Sequence, residues 1–175
     1  VFGGATRAAA NVRIEFRPIG AQPTVRDSIA FHAAFAGLMQ RLPASNHPVI
    51  DQPWERAREN FYTAAREGIA SDPHWITADG EETTLRAAVY KDIFARAVEG
   101  LCDVGLDHES AQSYLAPLRG RLQAGVDPAT WKCNRARERL DRGASIASAI
   151  HGTQREYVTR QAETLLEGSF ADWLN

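Results

Sequence analysis

The chain has 175 residues, 44% of them hydrophobic and 24% charged, with a formal net charge of −2. That is enough apolar material for one sizeable domain with its own core. The near-neutral balance gives the whole molecule no electrostatic reason to seek nucleic acid or an anionic membrane. No apolar run approaches the ~20 residues that cross a bilayer, and the first residues lack the charged and apolar regions of a secretory signal. Two isolated cysteines, Cys102 and Cys133, suggest no disulfide framework, so a reducing, cytoplasmic home is the expectation.

The first element with a clear pattern runs Val12-Arg-Ile-Glu-Phe16, followed by Arg17. Strict alternation predicts a strand, with Arg13, Glu15 and Arg17 on one face and Val12, Ile14 and Phe16 on the other. A lone strand needs a partner for its amides and carbonyls. The expectation is that it pairs with a second copy of the chain, pairs with residues 1 to 8 folded back, or stays exposed and mobile. Pro18, Gly20 and Pro23 then form an extended turn.

Thr24 with Asp27 three residues on predicts a helix start. The apolar residues Ile29, Phe31, Phe35, Leu38 and Leu42 predict that this helix is largely buried. Residues 43–48, bounded by two prolines, read as a loop. Pro53 suits a first helical turn, and Trp54, Ala57, Phe61, Ala64 and Ala65 recur at helical spacing up to Gly68. Asp79-Gly80 lies between short β-prone runs and predicts a small hairpin near 75–84. Four helical stretches follow. Thr84, Asp107, Asp127 with Pro128, and a start near Ser145 open them, and Pro117 predicts a kink in the second. The fold class expected is mainly α: a helical bundle with a short N-terminal β element, as part of an α+β fold. Residues 1–23 would supply strand and turn, and residues 24–175 the helical domain.

No phosphate-cradling glycine motif and no zinc spacing of Cys and His is present. His47, before Pro48 and near Asp51, is the histidine most worth inspecting. The arginines of the stretch 131–142 alternate with Glu138 and Asp141 around a helix, which reads as a solvated face rather than a nucleic-acid footprint. Trp54, Trp131 and Trp173 suit helix packing. Glu15 and Arg17 carry the chemistry of interest. A carboxylate is a hard-oxygen ligand for Mg²⁺, and the arginine fork matches phosphate oxygens. Side by side on a strand they suit a metal–nucleotide site. From the pattern alone, a solvent-facing strand of alternating charges is the more economical reading.

The stretch from Arg13 to Met39 shifts that balance. Glu15-Phe16-Arg17, coupled to Gln22-Pro23-Thr24-Val25-Arg26-Asp27 and a following apolar helix, resembles the C-terminal half of the glutamate–cysteine ligase family, carboxylate–amine ligases of glutamine-synthetase-like fold. The segments 3–13, 47–69, 154–158 and 170–173 are similar to further parts of the family, most strongly over residues 3 to 70. The resemblance implies ATP- and Mg²⁺-dependent joining of a carboxylate to an amine through an acyl phosphate, with glutamate and an amine such as cysteine as substrates, as in glutathione biosynthesis. It implies Glu15 as a metal ligand, Arg17 as the catalytic cation on phosphate, and Arg7 and Arg13 as nucleotide or substrate contacts. The family's other metal-binding acids and most of its catalytic sheet precede this segment. The expectation is therefore that the chain is a C-terminal portion needing the missing N-terminal part of the same protein, and that alone it is inactive. The alternative is a helical interaction or regulatory domain that keeps the scaffold without the chemistry. Oligomeric state and the amine ligated are left open, a homo-oligomer among the options.

Overall fold

The computed structural model describes residues 2–3, 11–12 and 15–174. Strand β1 (Phe2–Gly3) pairs antiparallel with β2 (Asn11–Val12), Phe2 facing Val12 and Gly3 facing Asn11. Of the three alternatives for the first strand, pairing within the chain is the one observed, through Phe2 and Gly3. The strand is shorter than its alternation predicts, because Glu15 to Gln22 have no regular secondary structure. Arg13 and Ile14 lie outside the described residues.

Helix α1 (Val25–Ala44) starts where Thr24 predicts: its hydroxyl accepts the Asp27 amide at 3.1 Å. It runs through Pro43, so the predicted loop begins only after the last turn. Proline is tolerated there because the closing amide bonds come from Ser45 and Asn46 beyond it. A short 3₁₀ turn, Pro48–Asp51, leads through Pro53 into α2 (Trp54–Glu67). The expected hairpin forms from β3 (His74–Ile76) and β4 (Glu82–Thr84), with Gly80 at φ +81° in its turn. Thr84 caps α3 (Leu85–Ala88), a π-helical turn Val89–Ile93 follows, and α4 (Phe94–Asp103) continues the same helical run. Asp107 caps α5 (His108–Ala124), Asp127 caps α6 (Pro128–Asp141) and Ser145 caps α7 (Ile146–Thr164), each through the amide three residues on. A final 3₁₀ turn spans Phe170–Trp173.

The main core joins α1, α4 and α5 through Ala30, Phe94, Ala97, Leu101, Ala111 and Leu115. Full burial of each large side chain here contributes roughly 1.5–3 kcal/mol. Small residues make the α1–α4 crossing close. A Cβ on Gly37 would stand 2.1 Å from the Ala97 carbonyl oxygen, and one on Gly100 would stand 1.9 Å from that of Gly37. A second core is aromatic. Trp173 packs edge-on against Trp131, Tyr157 and Phe170, with centroids 5.6, 5.2 and 5.2 Å away.

Two expectations fail for one reason. Helix α1 is not largely buried, since Val25 and Ile29 are exposed, and Trp54 on α2 is 73% exposed. Helical periodicity marks a face that can pack, but whether anything packs on it depends on the rest of the fold.

Candidate functional site

The Glu15–Arg17 pair stands where the N-terminal segment joins the bundle. The Arg17 guanidinium is ion-paired to Glu15, its Nε donating to Oε1 at 2.6 Å. Both residues are solvent-exposed. Between them, Phe16 turns to α1 and stacks on Phe35, ring centroids 4.2 Å apart and nearly parallel. The alternation read from the sequence thus survives in the side chains although the residues leave the strand. Arg7 and Arg13 lie outside the described residues.

The turn after this pair is anchored by buried polar contacts. Asp27 is fully buried; its Oδ2 accepts from the Thr24 hydroxyl at 2.7 Å and from the Phe170 amide at 2.9 Å. Arg121 of α5 lies 2.8 Å from Asp27 Oδ1 through Nη2, an ion pair without hydrogen-bond alignment. The same guanidinium donates from Nη1 to Gln22 Oε1 at 2.8 Å. It also sits over the rings of Phe31 and Phe170, at 5.6 and 5.1 Å. A buried cation needs such compensation, because desolvation costs several kcal/mol. Gln22, Thr24 and Asp27, the polar residues of the turn, therefore serve positioning. They lock residues 22–27 to α5 and to the C-terminal turn, and so set where Glu15 to Arg17 emerge.

A second polar cluster centres on Asp92, in the π-helical turn. Asp92 Oδ2 accepts from Trp75 Nε1 at 2.7 Å and from His47 Nε2 at 3.1 Å, while Arg96 approaches Oδ1 at 3.3 Å. His47 is buried and its Nδ1 accepts the Val49 amide at 3.2 Å, which places its proton on Nε2. The histidine singled out in the sequence is thus a brace between the π-helical turn, the hairpin and the turn at Pro48, and its partner is Asp92 rather than Asp51. Nothing in the local sequence announced Asp92. Its role depends on the π turn and on groups 17 and 45 residues away.

Among the described residues, no group of three or more His, Cys, Asp or Glu could hold a metal ion. Glu15 can serve as one ligand. Mg²⁺ characteristically takes one or two carboxylates, keeps several waters and binds substrate phosphates, so the donor chemistry fits such a site only in part. Arg17 competes for the same carboxylate and would have to turn from Glu15 toward a phosphate to admit a cation. Glu15 and Arg17 are within reach of each other, whereas Asp92 and His47 belong to a separate brace.

No described helix is long and apolar enough to cross a membrane. No curated protein and no solved structure shows a match to the chain. The family model described as Glutamate-cysteine ligase family 2 (GCS2) matches residues 2–164, which includes the Glu15–Arg17 pair, the anchored turn and the helices through α7. The chain belongs to glutamate–cysteine ligase family 2.

Proposed function

We propose that this chain is the C-terminal part of an ATP- and Mg²⁺-dependent carboxylate–amine ligase that joins the side-chain carboxylate of glutamate to an amine, cysteine first among candidates. The observation that carries the reading is the Glu15–Arg17 pair, presented at the surface on a segment anchored by Asp27 and Arg121, within a chain of this family. An exposed acid and arginine held side by side offer one oxygen ligand for a cation and one forked donor for a phosphate.

In the proposed reaction, a glutamate carboxylate oxygen attacks the γ-phosphorus of ATP, the bond to ADP breaks, and an acyl phosphate forms. The amine then attacks the acyl carbon, phosphate leaves, and the amine loses a proton. Bound Mg²⁺ would supply charge neutralisation for the phosphates. Arg17 holds phosphate oxygens as negative charge moves onto the leaving group, and Glu15 would be one ligand to the Mg²⁺. Arg7 and Arg13 complete the proposal as contacts to nucleotide or substrate. The remaining carboxylates and strands would come from the N-terminal part of the same protein, and the supply of ATP makes the cytoplasm the proposed location.

The test is ATP turnover by the complete ligase with glutamate and a panel of amines, comparing Glu15→Gln with the parent. Loss of most turnover with an unchanged fold is expected. Unchanged turnover would reduce Glu15 to a solvent-facing residue and favour the alternative, an interaction domain on the same scaffold.

A further inference from the structure

Helices α4 and α5 follow one another through the short connection 104–107 and pack together in the main core. A groove of about 410 Å³ lies along them, lined among others by Tyr90, Ala95, Val98, Glu99, Gln112 and Arg119. The acids of the groove are already matched. Glu99 takes Arg41 at 2.8 Å and Arg96 at 3.0 Å, and Asp103 takes Arg41 at 3.4 Å. Arg119 is not. Among the described residues it is the one buried or half-buried arginine with neither an ion pair nor a hydrogen-bond acceptor. Its Nε is buried without a partner, and its guanidinium lies 5.2 Å from the centroid of the Phe94 ring. Phe94 is a core residue, so the cation rests on a fixed aromatic face.

We propose that this groove binds a small monocarboxylate with a short apolar tail, and that Arg119 receives the carboxylate. A guanidinium only donates hydrogen bonds, and a charge drawn out of water is stabilised by an opposite charge beside it. The exposed arginines without partners are satisfied by bulk water. Arg119 differs from them in being half-buried, stacked on a core ring and part of a groove wall.

Charge selects a carboxylate over a phosphate. One free cation balances one negative charge, whereas a phosphate monoester carries roughly 1.5 to 2 at neutral pH. Glu99 and Asp103 in the same groove repel the excess. The planar fork of arginine also matches the two oxygens of a carboxylate. Ala95, Val98 and the Tyr90 ring offer apolar surface to the tail. The volume falls within the range of small-molecule sites, roughly 300–1,000 Å³, which favours a free molecule. The site shares no residue with the Glu15–Arg17 pair, so its test does not depend on the ligase reading.

The probe is butyrate, with butyramide as its neutral counterpart and inorganic phosphate as the competing anion, titrated into the isotope-labelled chain at constant ionic strength and followed by heteronuclear NMR. Butyrate should shift the Arg119 Nε–H resonance and the backbone amides of Val98 and Gln112 with a Kd of about 1–10 mM. Butyramide should bind about tenfold or more weakly, and phosphate less tightly than butyrate. Arg119→Met keeps a flexible stem over Phe94 and removes the charge. It should show an unchanged far-ultraviolet circular dichroism spectrum and lose the butyrate response. In urea, butyrate at about ten times its Kd should lower the unfolding constant of the parent about tenfold and leave that of Arg119→Met unchanged. Butyrate that binds no better than butyramide, undiminished binding to Arg119→Met, or tighter binding of phosphate would each overturn the proposal. So would butyrate binding to this chain but not to a longer protein that contains it, because an acidic side chain of the added part would then be the group that Arg119 receives.

Discussion

Replacing Asp27 by alanine isolates the contact that seats the candidate site on the bundle. The substitution removes the acceptor for the Thr24 hydroxyl and the Phe170 amide, and it removes the anion paired with Arg121. Arg121 is itself 5% exposed, so its guanidinium would be left buried with Gln22 as its hydrogen-bond acceptor. Breaking a buried pair from one side costs about 3–5 kcal/mol, and loss of the helix-start contact adds to it. Against a total stability of roughly 5–15 kcal/mol for a domain, this is a large fraction. In urea, with a slope near 2 kcal/mol per molar, the unfolding midpoint should fall by about 2 M. The companion variant, Asp27→Leu with Arg121→Met, leaves no unpaired buried ion and should recover part of the loss, while the Phe170 amide and the Thr24 hydroxyl stay without their acceptor. A midpoint shift below about 0.5 M for Asp27→Ala, or a double variant no more stable than it, would refute the assignment of Asp27 and Arg121 as the anchor.

Gly37→Ala and Gly100→Ala should each destabilise by about 1–3 kcal/mol or more in the same urea assay, because the new methyl meets backbone on the facing helix. Asp127 illustrates a pH effect. Burial opposes its charge, but the Thr130 and Ile69 amides outweigh that and hold its carboxyl below the usual value of 3.8. A depressed value stabilises the fold above the unfolded-state pKa, and that stability is lost as pH falls through the lower folded value. Asp127→Asn should therefore flatten the loss of stability between about pH 5 and 2, read from urea midpoints at successive pH values. The chain alone should bind Mg-ATP weakly or not at all by calorimetry, since one carboxylate supplies too little of the octahedral oxygen shell that Mg²⁺ prefers; a tight stoichiometric complex would contradict the need for further ligands from elsewhere.

Much of the secondary structure was determined by the sequence alone, because its signals act within a few residues. Thr24, Thr84, Asp107, Asp127 and Ser145 each cap the helix they announce, since the cap bond spans three residues. The Asp79-Gly80 hairpin, the mainly α class and the family were legible on the same local terms. Only the tertiary structure decided the rest. Asp27 meets Phe170 across 143 residues, and Gln22 meets Arg121 across 99. Such contacts depend on how the helices are arranged and leave no periodic mark. The strand signal around Glu15 overran the observed pairing, because alternation describes which way side chains point and not whether a neighbouring backbone is present to pair. The stripe on α2 has the periodicity of a core helix and yet faces outward. An apolar face records that a partner can be accommodated, and the arrangement of the other helices determines whether the chain itself provides one.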